Sequence, residues 1–213
     1  VRWDLMWGRL DPYVNNSITP VIVLDNVPYV FVKGAKQQNP TGYGVNMGPD
    51  NVTEYAGFVK VLLSGIVQRY GMDKASSFWF RVSTEPNTQP GHWNDTNTKY
   101  AEMYIAVAQV VSETIPGAWI GPANFASDGP TRQAGWDAVV VPMMKQIAAA
   151  QAKVDFLAMS CYGRAIMCHE DTSPLYDALN NVHDTTVGSS PTPNSTPHTN
   201  STNTMPIIRN NRR

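Results

Sequence analysis

Charge is scarce in this sequence. Lys and Arg number 16 and Asp and Glu 17 in 213 residues, so only 15% of the chain is charged and the net charge is -1. A balance so near zero offers no basic face to nucleic acid and no cationic segment to an anionic membrane surface. It also fails the high-charge half of the disorder signature. No run of about eighteen apolar residues occurs, which excludes a membrane-spanning helix. The two cysteines, Cys161 and Cys168, are too close to close more than a small loop, so they build no disulfide framework. Without a cluster of further Cys or His they make no metal site either, and they read as ordinary thiols; neither metal nor cofactor is expected. No Gly-rich phosphate loop follows any apolar run, which leaves a nucleotide-binding sheet without its anchor. A Gly-x-Ser-x-Gly elbow is missing too, and that speaks against an open α/β hydrolase. The N-terminus does not read as a signal peptide. It begins at Val1 and runs directly into Trp3-Asp4-Leu5-Met6-Trp7, so the chain is expected to have been cut from a longer one.

What is present is apolar and aromatic: 42% hydrophobic residues and six Trp, enough for one sizeable core. Thr19-Pro20-Val21-Ile22-Val23-Leu24 is a short apolar run that suits a strand buried on both faces. From Val52 the positions Tyr55, Ala56, Val59, Leu62, Leu63, Ile66, Val67 and Tyr70 share one helical face, with Asn51 and Glu54 as a capping pair and Gly71 as the stop. Phe78 to Ser83 is aromatic and β-branched and reads as a strand. A helix is expected from about Thr98 to Thr114, burying Tyr100, Tyr104, Val107, Ala108 and Val111 and ended by Pro116-Gly117. Residues 118–123 form a third strand. A helical stretch follows over 131–153, kinked or split at Pro142, then a fourth strand over 154–160 and a helix over 174–182. Trp3 and Trp7, spaced i, i+4, mark the core face of a helix.

Strand and helix thus alternate four times, with strand starts about 40 residues apart after the first. Such alternation demands a parallel α/β sheet with helices outside. Polar and aromatic residues follow the strands, as active-site groups do in a (β/α)₈ barrel. Four strands are half of one, because such barrels run to about 250 residues. The expected fold is therefore an incomplete barrel over residues 1–184. From 185 to 213 the chain is Ser-, Thr-, Pro- and Asn-rich and is expected to be a disordered tail. Sequons at Asn15, Asn51, Asn94, Asn194 and Asn200 permit a secreted glycoprotein, so an extracellular or secretory location is favoured.

The sequence holds five glutamates: Glu54, Glu85, Glu102, Glu113 and Glu170. Three of these fall on helix surfaces. Glu85 differs, because it ends an aromatic strand and is followed by Pro86, which fixes the backbone as it leaves. Aromatic surroundings favour the acid form of a carboxyl, which a general acid needs. Alone, a Glu at a strand end is more often a structural hydrogen-bond acceptor.

The string Phe78-Trp79-Phe80-Arg81-Val82-Ser83-Thr84-Glu85-Pro86-Asn87, followed by His92-Trp93 and then Tyr100 and Tyr104, resembles the fourth-strand segment of retaining glycoside hydrolases. It is most similar to glycoside hydrolase family 39, the β-xylosidase and α-L-iduronidase family of the large (β/α)₈ clan. Members carry a strand ending in Asn-Glu-Pro-Asn, then a Trp-containing loop and a Tyr-rich helix. Residues 18–24 look like that family's third strand, 119–123 like its fifth and 155–163 like its sixth. The resemblance covers roughly residues 1–180. It implies O-glycosidic hydrolysis with retention, a carbohydrate partner, and Glu85 as the acid/base. The second carboxylate, about 5 to 5.5 Å away in a retaining enzyme, lies in this family at the end of the seventh strand. Here no glutamate follows Glu170, and strands one, two, seven and eight have no counterpart. Thr84 stands where the clan usually has an Asn on the sugar 2-hydroxyl.

Other residues are weighed beside Glu85. Trp93 is either a sugar-stacking platform or a loop anchor. His92 is expected to be merely exposed. Asn26, Asn124 and Tyr162 sit at strand ends, where sugar hydroxyls or ordinary loop capping would use them. Two functions remain: a family 39-type glycosidase lacking its nucleophile in this chain, or an inactive fragment or carbohydrate-binding protein.

Overall fold

The computed structural model describes residues 1–33, 45–126 and 136–160, together with the backbone of Ile208–Asn210. Helix α1 (Trp3–Asn15) leads to β1 (Val21–Leu24) and, past a 3₁₀ turn at Tyr29–Phe31, to α2 (Val52–Tyr70) and the single turn α3 (Met72–Ala75). Then come β2 (Trp79–Val82), α4 (Asn97–Thr114), β3 (Trp119–Gly121) and β4 (Asn124–Ala126). A π-helical turn at Trp136–Val140 runs into α5 (Val141–Ala149), followed by β5 (Ala158–Ser160) and β6 (Ile208–Asn210).

All strand pairs are parallel, in the orders β1-β2-β3 and β4-β5-β6. A single bridge between Thr84 and Asn124 ties the two sets together, so β3 and β4 are successive stretches of one path interrupted at Pro122-Ala123. Proline brings no N–H to a ladder, which accounts for a break there. Strand order follows chain order without the reversal of a doubly wound sheet.

The helices start and stop where their side chains dictate. Asn51 Oδ1 accepts the N–H groups of Thr53 (3.0 Å) and Glu54 (3.2 Å), and Gly71 at φ 80° ends α2. Thr96 Oγ1 caps α4 by accepting from the Lys99 N–H (3.1 Å). Helix α4 packs between α2 and α5. It buries Tyr100, Ala101, Met103, Tyr104, Val107, Ala108 and Val111 against the sheet. Lys153 donates to Ala118 O (2.7 Å) and accepts through its own carbonyl from the Tyr104 hydroxyl (2.6 Å).

Several expectations change. Strand β1 is not buried on both faces: Val21 and Val23 are 43% and 40% exposed, and only Leu24 is in the core. Among the described residues β1 has one neighbour, β2, so nothing covers its other side. The stretch 131–153 splits at Pro142 as expected, but α5 ends at Ala149. Pro142 sits in the first turn of α5, where a missing N–H costs no helical bond. The strand over 154–160 shrinks to β5 because Asp155 takes the partner's role. Its N–H donates to Ile120 O (2.7 Å), while its Oδ2 accepts the Ile120 N–H (2.7 Å). Of the segment 185–213, only Ile208–Asn210 is described, and it pairs with β5 where composition leads one to expect disorder. Parallel pairing satisfies the backbone groups along that side of β5. Cys161, Cys168, Tyr162 and the helix expected over 174–182 lie outside the described residues.

Trp3 and Trp7 do turn inward from α1 but stay half-buried, stacked at 5.1 Å. Trp7 meets the edge of Tyr70 at 5.8 Å, and the Arg69 guanidinium lies 5.0 Å over its ring. Arg69 also grips Asp11 with two nitrogens, Nε at 2.8 Å, and the Tyr70 hydroxyl donates to Asp11 (2.7 Å). Arg69, and then Tyr70, hold the Asp11 carboxyl below the ordinary carboxylate range. A lowered value stabilises the fold above the unfolded group's titration and is lost as pH falls through the folded one. Amide exchange should therefore show α1 losing protection as pH drops below about 4. In Asp11→Asn that protection should already be weaker at pH 6 than in the parent.

Candidate active site

The chain leaves β2 through Ser83, Thr84 and Glu85, and two of these adopt left-handed backbone: Ser83 at φ 70° and Glu85 at φ 47°. Non-glycine residues there cost about 1 kcal/mol or more each, and persist where neighbours over-determine them. That is the case here. The Ser83 N–H donates to Leu24 O (3.0 Å) on the β1 side, and the Glu85 N–H donates to Asn124 O (2.9 Å) on the β4 side. Thr84, between them, forms the bridge to Asn124. Glu85 thus stands at the C-terminal end of a central parallel strand, only 6% exposed.

Two neighbours fix this corner. The Asn87 carboxamide pairs reciprocally with the backbone of Ala126, accepting its N–H and donating to its carbonyl, both at 3.0 Å. This extends the β2–β4 pairing past the last ladder bond. From α4, the Tyr100 hydroxyl donates to Val82 O (3.0 Å) and accepts the Ala123 N–H (2.8 Å). Ala123 lies at the break between β3 and β4, where its N–H has no strand partner. Burial pushes the Tyr100 phenol far above its ordinary range.

The loop after Glu85 returns on itself. Thr88 N–H donates to Glu85 O (2.8 Å) and His92 N–H to Thr88 O (2.9 Å). Asn46 Nδ2 donates to Pro90 O (2.6 Å), and the Asn94 N–H donates to Asn46 O (2.6 Å). His92 is not merely exposed: its Nε2 lies 3.8 Å from Glu85 Oε2. Trp93 is 2% exposed, donates from Nε1 to Thr96 O (3.2 Å) and meets Tyr100 edge-on at 5.5 Å. Of the two readings of Trp93, this burial favours the loop anchor, because the ring is packed into the core and not presented to solvent.

Thr84 is half-buried, its Oγ1 accepting from Arg81 Nη2 (3.4 Å). Asn124 is 3% exposed and donates to the Ser160 hydroxyl from Nδ2. Asn26 is exposed at the end of β1, at φ 56°. It shares a cleft of about 10 Å³, room for one water, with Asp25, Tyr55, Ser83, His92 and Trp93. Burial, with the Asp25 charge adding to it, raises the Tyr55 phenol to about 12. The structure therefore places Thr84 and Glu85 just past the end of β2, with Asn26 beside the His92–Trp93 loop; Asn124 is not past a strand end as expected but opens β4, opposite Thr84. Sequence reasoning missed Asn87 and the bridging role of Tyr100, for which the Glu-Pro-Asn string and the buried helical Tyr were the available signals. Among the described residues, no group of three His, Cys, Asp or Glu is placed to hold a metal ion. No helix among them is long and apolar enough to cross a membrane.

The pattern of glycosyl hydrolases family 39 matches residues 5–178 of this sequence. The chain belongs to that family. It is 24% identical over 126 residues to an α-1,4-L-rhamnosidase of Formosa agariphila, a match covering 56% of this chain and 26% of the relative. It is 24% identical over 155 residues to a β-xylosidase of Geobacillus stearothermophilus, covering 72% of this chain and 29% of the relative. The chain thus spans under a third of the length of these curated relatives. A solved family 39 β-xylosidase from Caulobacter crescentus superposes with TM-score 0.63 at 20% identity, over 85% of this chain and 37% of that one. The family 39 enzyme from Xanthomonas axonopodis pv. citri gives 0.60 at 20% identity, over 84% and 36%. The mixed α/β fold is that of these TIM-barrel-like family 39 structures.

Replacing the Tyr100 hydroxyl tests how firmly the corner is built. Tyr100→Phe leaves the buried Val82 carbonyl and Ala123 N–H without their partner. Urea unfolding should show a loss of about 2 kcal/mol, more than the same change at the exposed Tyr13.

Proposed function

We infer that this family 39 chain carries the acid/base part of a retaining glycosidase site, built on an incomplete (β/α)₈ barrel of about strands three to six. Glu85 protonates the glycosidic oxygen as the bond to the anomeric carbon breaks, then removes a proton from the incoming water. The observation that carries this reading is the placement of Glu85: buried, at the C-terminal end of a central strand, with its backbone bonded to Asn124. Thr84, Asn124 and Asn26, with Tyr162 from the sequence reading, are the groups proposed to meet sugar hydroxyls; Trp93 supports the loop above them. The partner is a carbohydrate, a reading supported by a β-xylosidase and a rhamnosidase among the relatives.

The second carboxylate is proposed to be missing from this chain, since no glutamate follows Glu170. The 213 residues alone should then bind a glycoside without turning it over, which is also what a carbohydrate-binding protein would do. External azide separates the two. In the glycosidase reading it attacks the anomeric carbon in place of the absent carboxylate, so an inverted glycosyl azide forms as the phenol leaves an aryl glycoside. Glu85→Gln should slow this about 100-fold or more for poor leaving groups and far less for good ones, which need little protonation. Equal losses on both would count against proton donation. Turnover without azide would overturn the missing nucleophile.

A further inference from the structure

We propose that Asn51 carries an N-linked glycan. The structure leaves its carboxamide nitrogen, the atom that takes the sugar, exposed and unused by the fold. The inference requires the secretory location favoured from the sequence and does not depend on the reading of Glu85.

Among the asparagines with described side chains, Asn15, Asn51 and Asn94 open an Asn-x-Ser/Thr sequon. All three are exposed, and none donates a hydrogen bond from Nδ2 to another described residue. Asparagines outside sequons commit that nitrogen to the fold. Asn16 donates it to Pro12 O (2.7 Å) and Asn46 to Pro90 O (2.6 Å). Asn87 donates to Ala126 O (3.0 Å), Asn97 to Ala138 O (2.9 Å) and Asn124 to the Ser160 hydroxyl. Asn26 is the exception, and Val27-Pro28 after it completes no sequon. Sequons arising by chance in an Asn-rich chain would fall on both kinds of asparagine; here they fall on those whose nitrogen is free.

Asn51 adds a fixed orientation. Its Oδ1 accepts the N–H groups of Thr53 (3.0 Å) and Glu54 (3.2 Å). Both partners are donors, so the atom between them is the oxygen, and Nδ2 is turned away from the first turn of α2. At Asn15 and Asn94 no bond to a described residue holds the amide in this way, which is why the site is assigned to Asn51.

Attachment alters only the nitrogen. The Nδ2–C1 bond forms as the C1–O bond of a lipid-diphosphate-linked oligosaccharide breaks. The diphosphate leaves with the electron pair, and one Nδ2 proton passes to a base of the transferase. Oδ1 remains an amide carbonyl and can still accept, so the cap on α2 survives the modification. Asn51 and Thr53 are both exposed, so the added group stands in solvent, where a bulky hydrophilic chain is tolerated.

The test uses the protein isolated from the cells that make it. Its tryptic peptides are treated with peptide-N-glycosidase F in H₂¹⁸O, which converts a glycosylated Asn to ¹⁸O-labelled Asp. The peptide holding Asn51 should carry the label at that residue. In Thr53→Ala, made in the same cells, the label should vanish: the acceptor sequence is gone, while the backbone N–H that Asn51 caps remains. An unlabelled Asn51 in the parent overturns the proposal. So does a label that persists in Thr53→Ala, because spontaneous deamidation then accounts for it. Should that variant fail to accumulate, parent peptides held in H₂¹⁸O without the glycosidase decide the same point, since a label there is deamidation. A labelled Asn51 in a chain that gives no azide reaction would refute the acid/base reading alone. An unlabelled Asn51 beside an intact azide reaction would refute only the glycan.

Discussion

The Tyr100 hydroxyl is the interaction on which the rest of this structure hangs. One O–H group from α4 closes the end of β2 at Val82 and the break between β3 and β4 at Ala123. Without it, two buried backbone groups would sit unpaired in the core, a heavier penalty than the loss of an ordinary hydrogen bond. The break itself follows from Pro122, which supplies no ladder donor. A helix therefore does work here that a strand neighbour would do elsewhere, and the helix–sheet packing and the strand-end geometry are one constraint.

The strand end above Tyr100 shows what this constraint supports. Ser83 and Glu85 both take left-handed backbone, and each is bonded to a different neighbouring strand, β1 through Leu24 and β4 through Asn124. Alternate residues thus reach opposite sides while Thr84 keeps the pairing. Asn87 then carries the pairing one step further with a side chain in place of a main chain. Asp155 uses the same substitution at the opposite end of the sheet, where its carboxylate stands in for a strand partner of Ile120. Carboxamide and carboxylate side chains complete a sheet whose regular ladders are only three or four residues long.

Glu85 stands at the C-terminal end of a parallel strand, the face on which barrel enzymes carry their active sites, and the proposed chemistry is placed there. The loop that follows Glu85 is not a passive connection. It is tied to Asn46, anchored by Trp93 and folded so that His92 faces the carboxyl. The exposed Val21 and Val23 of β1 mark how far the described sheet extends on that side.

Much was legible in the residues alone. The period of α2, its Asn51 cap and Gly71 stop, the aromatic strand before Glu85 and the buried face of α4 are local patterns, set by side chains within a few turns of one another. The family likeness lay in one ordered string around Thr84-Glu85-Pro86-Asn87. What the sequence could not settle depended on which segments become neighbours. Val21 to Leu24 has the composition of a strand covered on both faces, yet coverage is a property of adjacent strands, and β1 has one among those described. Trp93 and His92 adjoin in sequence, but only the folded loop buries the one in the core and turns the other onto Glu85. Sequence by itself determined most of the elements, their parallel order and the family. Tertiary structure alone decided how the strand end around Glu85 is held, because hydrogen bonds act over a few ångströms and the residues supplying them lie 18 and 39 positions apart in Tyr100–Val82 and Asn87–Ala126.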